Sequence, residues 1–306
     1  MTIAILVSNM YKNSMEGIER TDRIAPAHAL GLERSCKIGF RDGLSIAASS
    51  HGIERMEARF HGNGFSPHRH DTYALGLTLR GVQTFRYRGA ERFSRPGNVI
   101  VLHPDEVHDG AAGTDDGLIY RMLYLPPAVV GLLEVGNRAL PFVRDPVVTD
   151  AGLLSALADV LSDLDHAPND LAMDDAVARL TAGLFRQADD PRKAPTRIDR
   201  PAVLLARDFL TEHCEEGVSS ETLEAISGLD RYELSRQFRR AFGTSPHRYL
   251  VMRRLDRAKR LLGAGYGLAG AAAEAGFADQ AHFTRHFRAA FGMTPGRWLA
   301  MHDCQP

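Results

Sequence analysis

Residues 234–246 read LSRQFRRAFGTSP, and 49 positions later residues 283–295 read FTRHFRAAFGMTP. In each copy an apolar residue stands at every fourth position and is followed by a glycine. Apolar residues at this spacing line one face of an α-helix, and glycine is the residue that most often ends a helix in the left-handed conformation. The stretch therefore predicts two copies of a short helix, each with one buried stripe and a glycine stop.

A second short helix is predicted in front of each copy. Residues 221–226 follow Ser220, a candidate N-cap, and lead into the turn at 227–230, while residues 268–274 lead into the turn at 275–279. A helix, a tight glycine-containing turn and a second helix form the helix-turn-helix pattern. Small helical domains use the same corner for packing alone, so the exposed faces must decide the function.

The predicted exposed faces of the two later helices are basic and polar. Arginine and glutamine make bidentate contacts with guanine and adenine edges in the major groove of DNA, which favours DNA recognition over a merely solvated basic face. The first face comprises Arg231, Tyr232, Ser235, Arg236 and Arg239, and the second comprises Gln280, His282, Arg285 and Arg288.

The two predicted helix-turn-helix segments resemble the double helix-turn-helix DNA-binding domain of the AraC/XylS family, and the resemblance covers about residues 200–300. It implies a linking helix at 246–262 that holds two recognition helices in successive major grooves about 34 Å apart. One departure is the run LAGAAA at 268–273, where family members carry bulkier residues; Gly270 and its small neighbours should loosen that helix. The resemblance implies base contacts by Tyr232, Ser235, Arg236, Gln280, Ala281, His282 and Arg285. Arg239, on the exposed face of the first helix, completes the set of candidate DNA-binding residues.

Charge supports the same assignment locally but not globally. The whole chain has a net charge of −1, which favours no class of partner. Residues 231–260, by contrast, contain ten arginines and lysines and only two acids, Glu233 and Asp256. This excess predicts a phosphate-binding surface, with a solvated helix face as the alternative.

The region from residue 53 to residue 125 consists of short alternating runs separated by glycine and proline. Many short strands at this spacing predict a sandwich or barrel. Pro67-His-Arg-His70 before one run and Pro104-Asp-Glu-Val-His108 after another resemble the two motifs of a cupin barrel. The fold class is therefore two-domain, with an N-terminal all-β cupin-like barrel with flanking helices and a C-terminal all-α domain.

The cupin resemblance places three histidines, His68, His70 and His108, in one cavity. In metal-binding cupins these positions hold a transition metal, but the acidic ligand expected after His70 is replaced by Ala74 or Leu75. A metal site, an organic-ligand pocket and purely structural histidines all stay open, and the organic ligand is favoured. We expect no metal, no cofactor and no catalytic residue, and the candidate ligand-binding residues are His68, His70, Tyr73 and His108.

Two apolar stripes, at 153–164 and 173–184, predict helices after the barrel. They either form the seam of a homodimer, with Val177 and Leu180 at its centre, or only cover the barrel. The charged segment 188–199 contains two prolines and is predicted to be a linker. The expected domains are an extension at 1–50, a ligand-sensing and dimerisation domain at 51–187, and a DNA-binding domain at 200–306.

These features predict a sequence-specific transcription regulator controlled by a small-molecule effector in the barrel. The alternatives are a cupin-type metal-dependent enzyme with an accessory DNA-binding domain and a constitutive DNA binder. The expected partners are double-stranded operator DNA, an effector of unknown identity, a second copy of the chain and RNA polymerase. Three widely spaced cysteines and the lack of a convincing signal peptide favour the cytoplasm and no membrane.

Overall fold

A computed structural model describes residues 42–47, 52–133, 139–188 and 198–302. It shows an N-terminal domain of two β-sheets with helices on one face, followed by a C-terminal domain built of helices. The predicted fold class is confirmed. Most of the predicted extension and residues 189–197 of the predicted linker lie outside the described residues.

The N-terminal domain contains a six-stranded sheet of order β1-β2-β9-β4-β7-β10 and a four-stranded sheet of order β3-β8-β5-β6. The pairings within both sheets are antiparallel. Strand β1 pairs with β2, so the first sheet begins inside the segment that the sequence assigned to an extension. The strands are β1 (Gly43–Ile46), β2 (Glu54–Phe60), β3 (Asn63–His68), β4 (Tyr73–Arg80), β5 (Gln83–Tyr87), β6 (Ala90–Ser94), β7 (Val99–Leu102), β8 (His108–Ala112), β9 (Leu118–Leu125) and β10 (Val147–Val148).

In the described residues three helices belong to this domain: α1 (Pro127–Leu132), α2 (Ala151–Leu161) and α3 (Asp170–Gln187). Their apolar stripes join the outer face of the six-stranded sheet in one buried cluster, which includes Val177 and Leu180. Val177 is 4% exposed and Leu180 is fully buried, so neither side chain is available to a second subunit. The predicted dimer seam at these two residues is wrong, because the stripes cover the sheet of their own chain.

Buried charges tie the helices to the sheet. Arg55 on β2 donates hydrogen bonds to the main-chain carbonyls of Val160 and Asp163 at the end of α2. Arg121 on β9 forms a buried ion pair with Glu57, with 2.7 Å between the nitrogen and the oxygen, and also donates to the carbonyl of Ser162. Carbonyls at the end of a helix lack partners within it, so the two arginines satisfy them and fix α2 on the sheet.

The C-terminal domain has seven helices in the described residues. The predicted N-cap of α5 is off by one position, since Ser219 rather than Ser220 accepts the capping hydrogen bond. The helices are α4 (Arg200–Glu212), α5 (Ser220–Ser227), α6 (Arg231–Phe242), α7 (Pro246–Gly263), α8 (Leu268–Glu274), α9 (Gln280–Phe291) and α10 (Pro295–His302).

The duplicated helices α6 and α9, here called the first and second reader helices, have the same construction. Each has 12 residues, begins after an aspartate whose side chain accepts from the first turn, and ends at a glycine in the left-handed conformation. The capping aspartates are Asp230 and Asp279, and the glycines are Gly243 and Gly292. The linking helix, α7, runs between the two helix-turn-helix motifs as the sequence predicts. In the described part of the chain no helix is both long and apolar enough to cross a membrane.

Candidate nucleic-acid interface and interdomain cavity

The first reader helix buries Leu234, Phe238 and Phe242 and presents its predicted reading face to solvent. Tyr232 is 76% exposed and the Arg236 side chain is 65% exposed. Arg239 is exposed and Ser235 is half-buried on the same helix. Side chains of this kind on an open helix face can enter a major groove, as the sequence predicts.

The second reader helix buries Phe283, Phe287 and Ala290. Gln280, Ala281 and Arg285 are exposed, whereas His282 is half-buried. The Nε2 atoms of His282 and His286 lie 2.8 Å apart, so these imidazoles share a hydrogen bond along the helix. The structure places the candidate residues of this helix on its solvent side, but part of the His282 ring already packs on Phe277.

The basic stretch 231–260 is used largely inside the protein. Arg231 pairs with Glu221 and Glu224 across the turn of the first helix-turn-helix. Arg254 donates to the carbonyl oxygens of Cys214 and Glu216. The charge excess that predicts a phosphate surface is therefore much reduced, because many of these cations hold the fold together.

Three further cations of this stretch join the two domains. From the linking helix, Arg248 pairs with Asp105, Arg253 with Asp71 at 2.7 Å, and Lys259 with Glu54 at 2.9 Å. Asp105, Asp71 and Glu54 belong to the N-terminal domain. The linking helix therefore docks on the N-terminal domain as well as connecting the two motifs.

A cavity of about 420 Å³ lies between the two domains. Its walls come from β1, β2, β3 and β9 on one side and from the linking helix, the ends of both reader helices and α10 on the other. The apolar lining includes Ile46, Met56, Phe65, Tyr124, Phe242, Met252, Phe291, Met293 and Trp298. The polar lining includes Glu54, His68, His70, Asp71, Arg253, Asp256, Lys259 and Arg260.

The structure brings the three predicted histidines together. His68 on β3 pairs in register with His108 on β8, and their ring centroids are 4.3 Å apart. The His70 ring lies 4.9 Å from that of His108 and packs edge-on against Tyr124. His68 and His70 line the interdomain cavity, whereas His108 lies behind them on the side of a shallow outer groove.

Each of the three imidazoles bonds through Nδ1 to a main-chain carbonyl: of Ser66 for His68, of Thr72 for His70, and of Glu106 for His108. Because a carbonyl only accepts, Nδ1 carries the proton and each Nε2 presents a lone pair. Burial lowers the pKa of all three histidines to about 3. They are neutral acceptors at neutral pH, so they suit hydrogen-bond donors and offer no charge to an anion.

Among the described residues, no group of three or more His, Cys, Asp or Glu side chains is arranged to hold a metal ion. The histidine cluster thus does not meet the requirements of the metal site that the cupin resemblance raised as one alternative. The buried Nε2 of His70 has no hydrogen-bond partner in the described residues.

Tyr73 is not near the histidine cluster. Its side chain belongs to the cluster on the helix-covered face of the sheet, and its hydroxyl donates to the carbonyl of Pro141 at 2.8 Å. Phe85 and Tyr87 are buried between the two sheets, together with Met56, Phe60 and Tyr120, as core residues. The space between the sheets is therefore occupied by side chains, and the cavity lies at the mouth of the barrel, against the C-terminal domain.

Sequence reasoning did not find the C-terminal half of this cavity. The Lys259 ammonium lies over the rings of Phe291 and Trp298, 5.0 Å and 5.7 Å from their centroids. These residues come from three helices of the predicted DNA-binding domain, so no local motif connects them with the barrel. The single tryptophan of the chain, Trp298, was the one feature of the sequence that could have drawn attention to this wall of the cavity.

Two protein-family models match the chain. Residues 50–181 match the AraC-like ligand binding domain, and residues 223–301 match a helix-turn-helix domain. An uncharacterized HTH-type transcriptional regulator, YbfI of Bacillus subtilis, is 26% identical over 224 residues, which cover 71% of this chain and 81% of the relative. The HTH-type transcriptional activator RhaS of Yersinia pestis is 26% identical over 256 residues, which cover 78% of this chain and 91% of that one.

Among solved structures, ToxT from Vibrio cholerae has the same two-domain fold. It superimposes with a TM-score of 0.61 and 12% sequence identity, covering 81% of this chain and 97% of ToxT. At this identity the likeness concerns the fold alone, whereas both domain matches and the curated relatives agree on the family. The chain therefore belongs to the AraC family of transcription regulators, with an N-terminal ligand-binding domain and a C-terminal helix-turn-helix domain.

Proposed function

We propose that the chain binds a specific double-stranded operator through both reader helices and that a small effector in the interdomain cavity changes its affinity for that operator. One observation carries the proposal. Both reader helices expose their polar faces to solvent while the last residue of each, Phe242 or Phe291, forms part of the cavity wall. The proposed DNA-contacting residues are Tyr232, Ser235, Arg236, Arg239, Gln280, Ala281, His282 and Arg285.

The cavity favours an amphipathic effector. Its walls are mostly aliphatic and aromatic, and its polar lining includes the cations Lys259 and Arg260. Lys259 is paired with Glu54, so a ligand carboxylate can take the place of Glu54 and let that partly exposed side chain turn to water. ToxT has been solved with an unsaturated fatty acid and with a naphthalenyl-butenoic acid, both of which have an apolar body and a carboxylic acid.

The partners follow from this role. A regulator that reads operator DNA acts in the cytoplasm beside RNA polymerase, and relatives named RhaS are transcriptional activators. A homodimer would place a second pair of reader helices on the same operator and raise the apparent affinity by linkage. Since α2 and α3 use their stripes inside the chain, the dimer contact must involve another face.

Two measurements test the proposal. Selection from a random duplex library with the full chain should yield a two-part site, one part for each reader helix. Emission from Trp298, the single tryptophan, should then shift on titration with oleate and shift less with oleyl alcohol, which has the same apolar body without the carboxylate. Lys259→Met should weaken oleate binding by about tenfold and leave binding of the alcohol unchanged. No enriched sequence would contradict DNA recognition, and no response to either lipid would contradict an amphipathic effector in the cavity.

A further inference from the structure

The duplicated helix ends, Phe242–Gly243 and Phe291–Gly292, occupy equivalent places between the domains. Both phenylalanines line the cavity. Both glycines are left-handed C-caps, with φ of 71° and 68°. Each glycine also touches the N-terminal domain, so the repeat in sequence has become a repeated contact across the domain interface.

The two contacts are too close for any side chain. A Cβ on Gly243 would lie 2.6 Å from Cβ of Pro104, and a Cβ on Gly292 would lie 2.7 Å from the carbonyl oxygen of Ser66 and 2.9 Å from Nδ1 of His68. Gly228 is also a left-handed helix cap, with φ of 70°, but a Cβ there would have no neighbour within 4 Å. Glycine is thus required at 243 and 292 by contact as well as by backbone conformation.

Each glycine rests on one of the two histidine-bearing turns of the barrel. At the second reader helix, the main-chain N–H groups of Ser66 and Arg69 donate to the carbonyls of Gly292 and Ala289, both at 3.0 Å. Below the first reader helix, Asp105 adopts a left-handed φ of 61° and forms ion pairs with Arg69 and Arg248. A non-glycine residue in that conformation is strained unless its surroundings hold it, and one of the groups that hold Asp105, Arg248, comes from the C-terminal domain.

The docked arrangement keeps both reading faces open, so DNA can bind without separating the domains. Two recognition elements held in one arrangement lose less freedom on binding than two free ones. We infer that Gly243 and Gly292 are positioning residues: their contacts on the barrel fix the separation of the two reader helices and thereby the spacing of the operator half-sites. If an effector occupies the cavity, as the proposed function requires, it acts on the same two helix ends through Phe242 and Phe291.

The test needs no effector. Operator affinity of the full chain is measured for Gly243→Ala, Gly292→Ala and the matched control Gly228→Ala, on the selected duplex and on duplexes with one inserted or deleted base pair between the half-sites. All three variants bear the strain of alanine at positive φ, but only the first two clash with the barrel. We expect about a tenfold loss of affinity for those two on the selected duplex, the size typical of coupling between sites, and less than about twofold for the control.

Spacing discrimination separates positioning from simple destabilisation. A variant that is only partly folded loses the same factor on every duplex, whereas loss of positioning flattens the difference between correct and altered spacing. Pro104→Gly, which removes the contact without straining a helix cap, should flatten it as well. Wild-type spacing discrimination in Gly243→Ala and Gly292→Ala would overturn the inference. An absent response to lipids would instead contradict the effector in the cavity and leave this result standing.

Discussion

The two helix-turn-helix motifs are near duplicates in sequence, yet they belong to different parts of the molecule. The first packs with α4 in a separate core that includes Val203, Leu210 and Phe238, and Ala128 of α1 packs against this core from the N-terminal domain. The core of the second, with Phe283 and Phe287, is continuous with the core between the two sheets of the N-terminal domain. A repeat in sequence therefore fixes the local helices, while the surroundings decide what each copy depends on.

The local sequences explain part of this difference. The first motif is closed by the ion pairs of Arg231 with Glu221 and Glu224, and its α5 begins at a serine cap. In the second motif α8 is rich in alanine and begins at Gly267 without a side-chain cap. The second copy lacks a side-chain cap at the start of α8 and gains support from the N-terminal domain, through main-chain hydrogen bonds and the shared core.

The largest expected effect comes from the matched pair Phe238→Ala and Phe287→Ala. Both phenylalanines are fully buried at equivalent positions, so each variant should lose about 3–5 kcal/mol of unfolding free energy in the domain that contains it. Phe287→Ala should also destabilise the β-sheets, whereas Phe238→Ala should leave them intact. Calorimetry of the full chain, with sheet content followed by circular dichroism, checks this. Equal effects of the two variants on the sheets would refute the difference between the motifs.

Low pH should destabilise the histidine-bearing part of the N-terminal domain that contacts the second reader helix. Burial lowers the pKa of His68, His70 and His108 to about 3, from an ordinary value of about 6.5. Below pH about 6.5 the unfolded chain takes up protons that the folded chain excludes. The free energy of unfolding therefore falls as the pH drops below about 6.5, and these groups have no effect on it above pH about 7.

Urea unfolding between about pH 4 and pH 7 measures this slope. His108→Gln removes one titrating group from the cluster without removing a lining residue of the cavity, and it should make the pH dependence of the unfolding free energy shallower. The exposed His166 provides the control, since His166→Gln removes a histidine that pairs only with neighbouring acids and has a raised pKa. An unchanged slope in His108→Gln would mean that the cluster takes up protons in the folded state.

The reader helices offer a second matched pair, Arg236→Ala and Arg285→Ala. Each should cost about 1–3 kcal/mol of operator binding, with relaxed specificity in the half-site that its helix contacts. Arg236 must leave its ion pair with Glu233 to reach a base, whereas the equivalent of Glu233 in the second motif is His282. Binding across single-base operator variants shows which half-site each arginine reads. Unchanged discrimination in both variants would exclude them as base readers.

The smallest expected effect is a gain in the stability of the second motif. Gly270 is an exposed glycine within α8, and a Cβ there would lie 3.8 Å from the Tyr266 ring, an ordinary contact distance. Gly270→Ala should therefore stabilise the second motif by about 0.5–1 kcal/mol, since glycine costs that much inside a helix. A shift of the thermal transition reported by Trp298 emission measures it. A loss of stability would mean that the helix needs glycine at this point.

The sequence predicted most of the local structure and little of the interface between domains. Periodic apolar residues and glycine stops were sufficient for both reader helices because these elements are determined by neighbours in the chain. The histidine cluster was also predicted, from two motifs that meet when β3 and β8 pair. Tyr73 was placed wrongly relative to that cluster, because a strand alternates its faces and the sequence does not show which face the helices cover.

The charge pattern misled for a related reason. Arg248, Arg253 and Lys259 contribute to a basic excess in sequence, but their acidic partners lie more than a hundred residues away, in the N-terminal domain. The same long-range packing creates the cavity, whose two walls come from domains that the sequence treats as separate. The net charge of a stretch of sequence such as 231–260 reports only its composition. A phosphate-binding surface requires cations that are exposed and not already paired within the fold.

Amide hydrogen exchange of the full chain tests most directly whether the second motif is part of the N-terminal domain. Amides in the second reader helix and in strands β2 and β9 should share one opening free energy, while the first reader helix opens separately and more easily. The Ser66 and Arg69 amides, which bond across the domains, should exchange slowly. Common opening of both reader helices, with rapid exchange at Ser66 and Arg69, would show that the second motif is not part of the N-terminal domain.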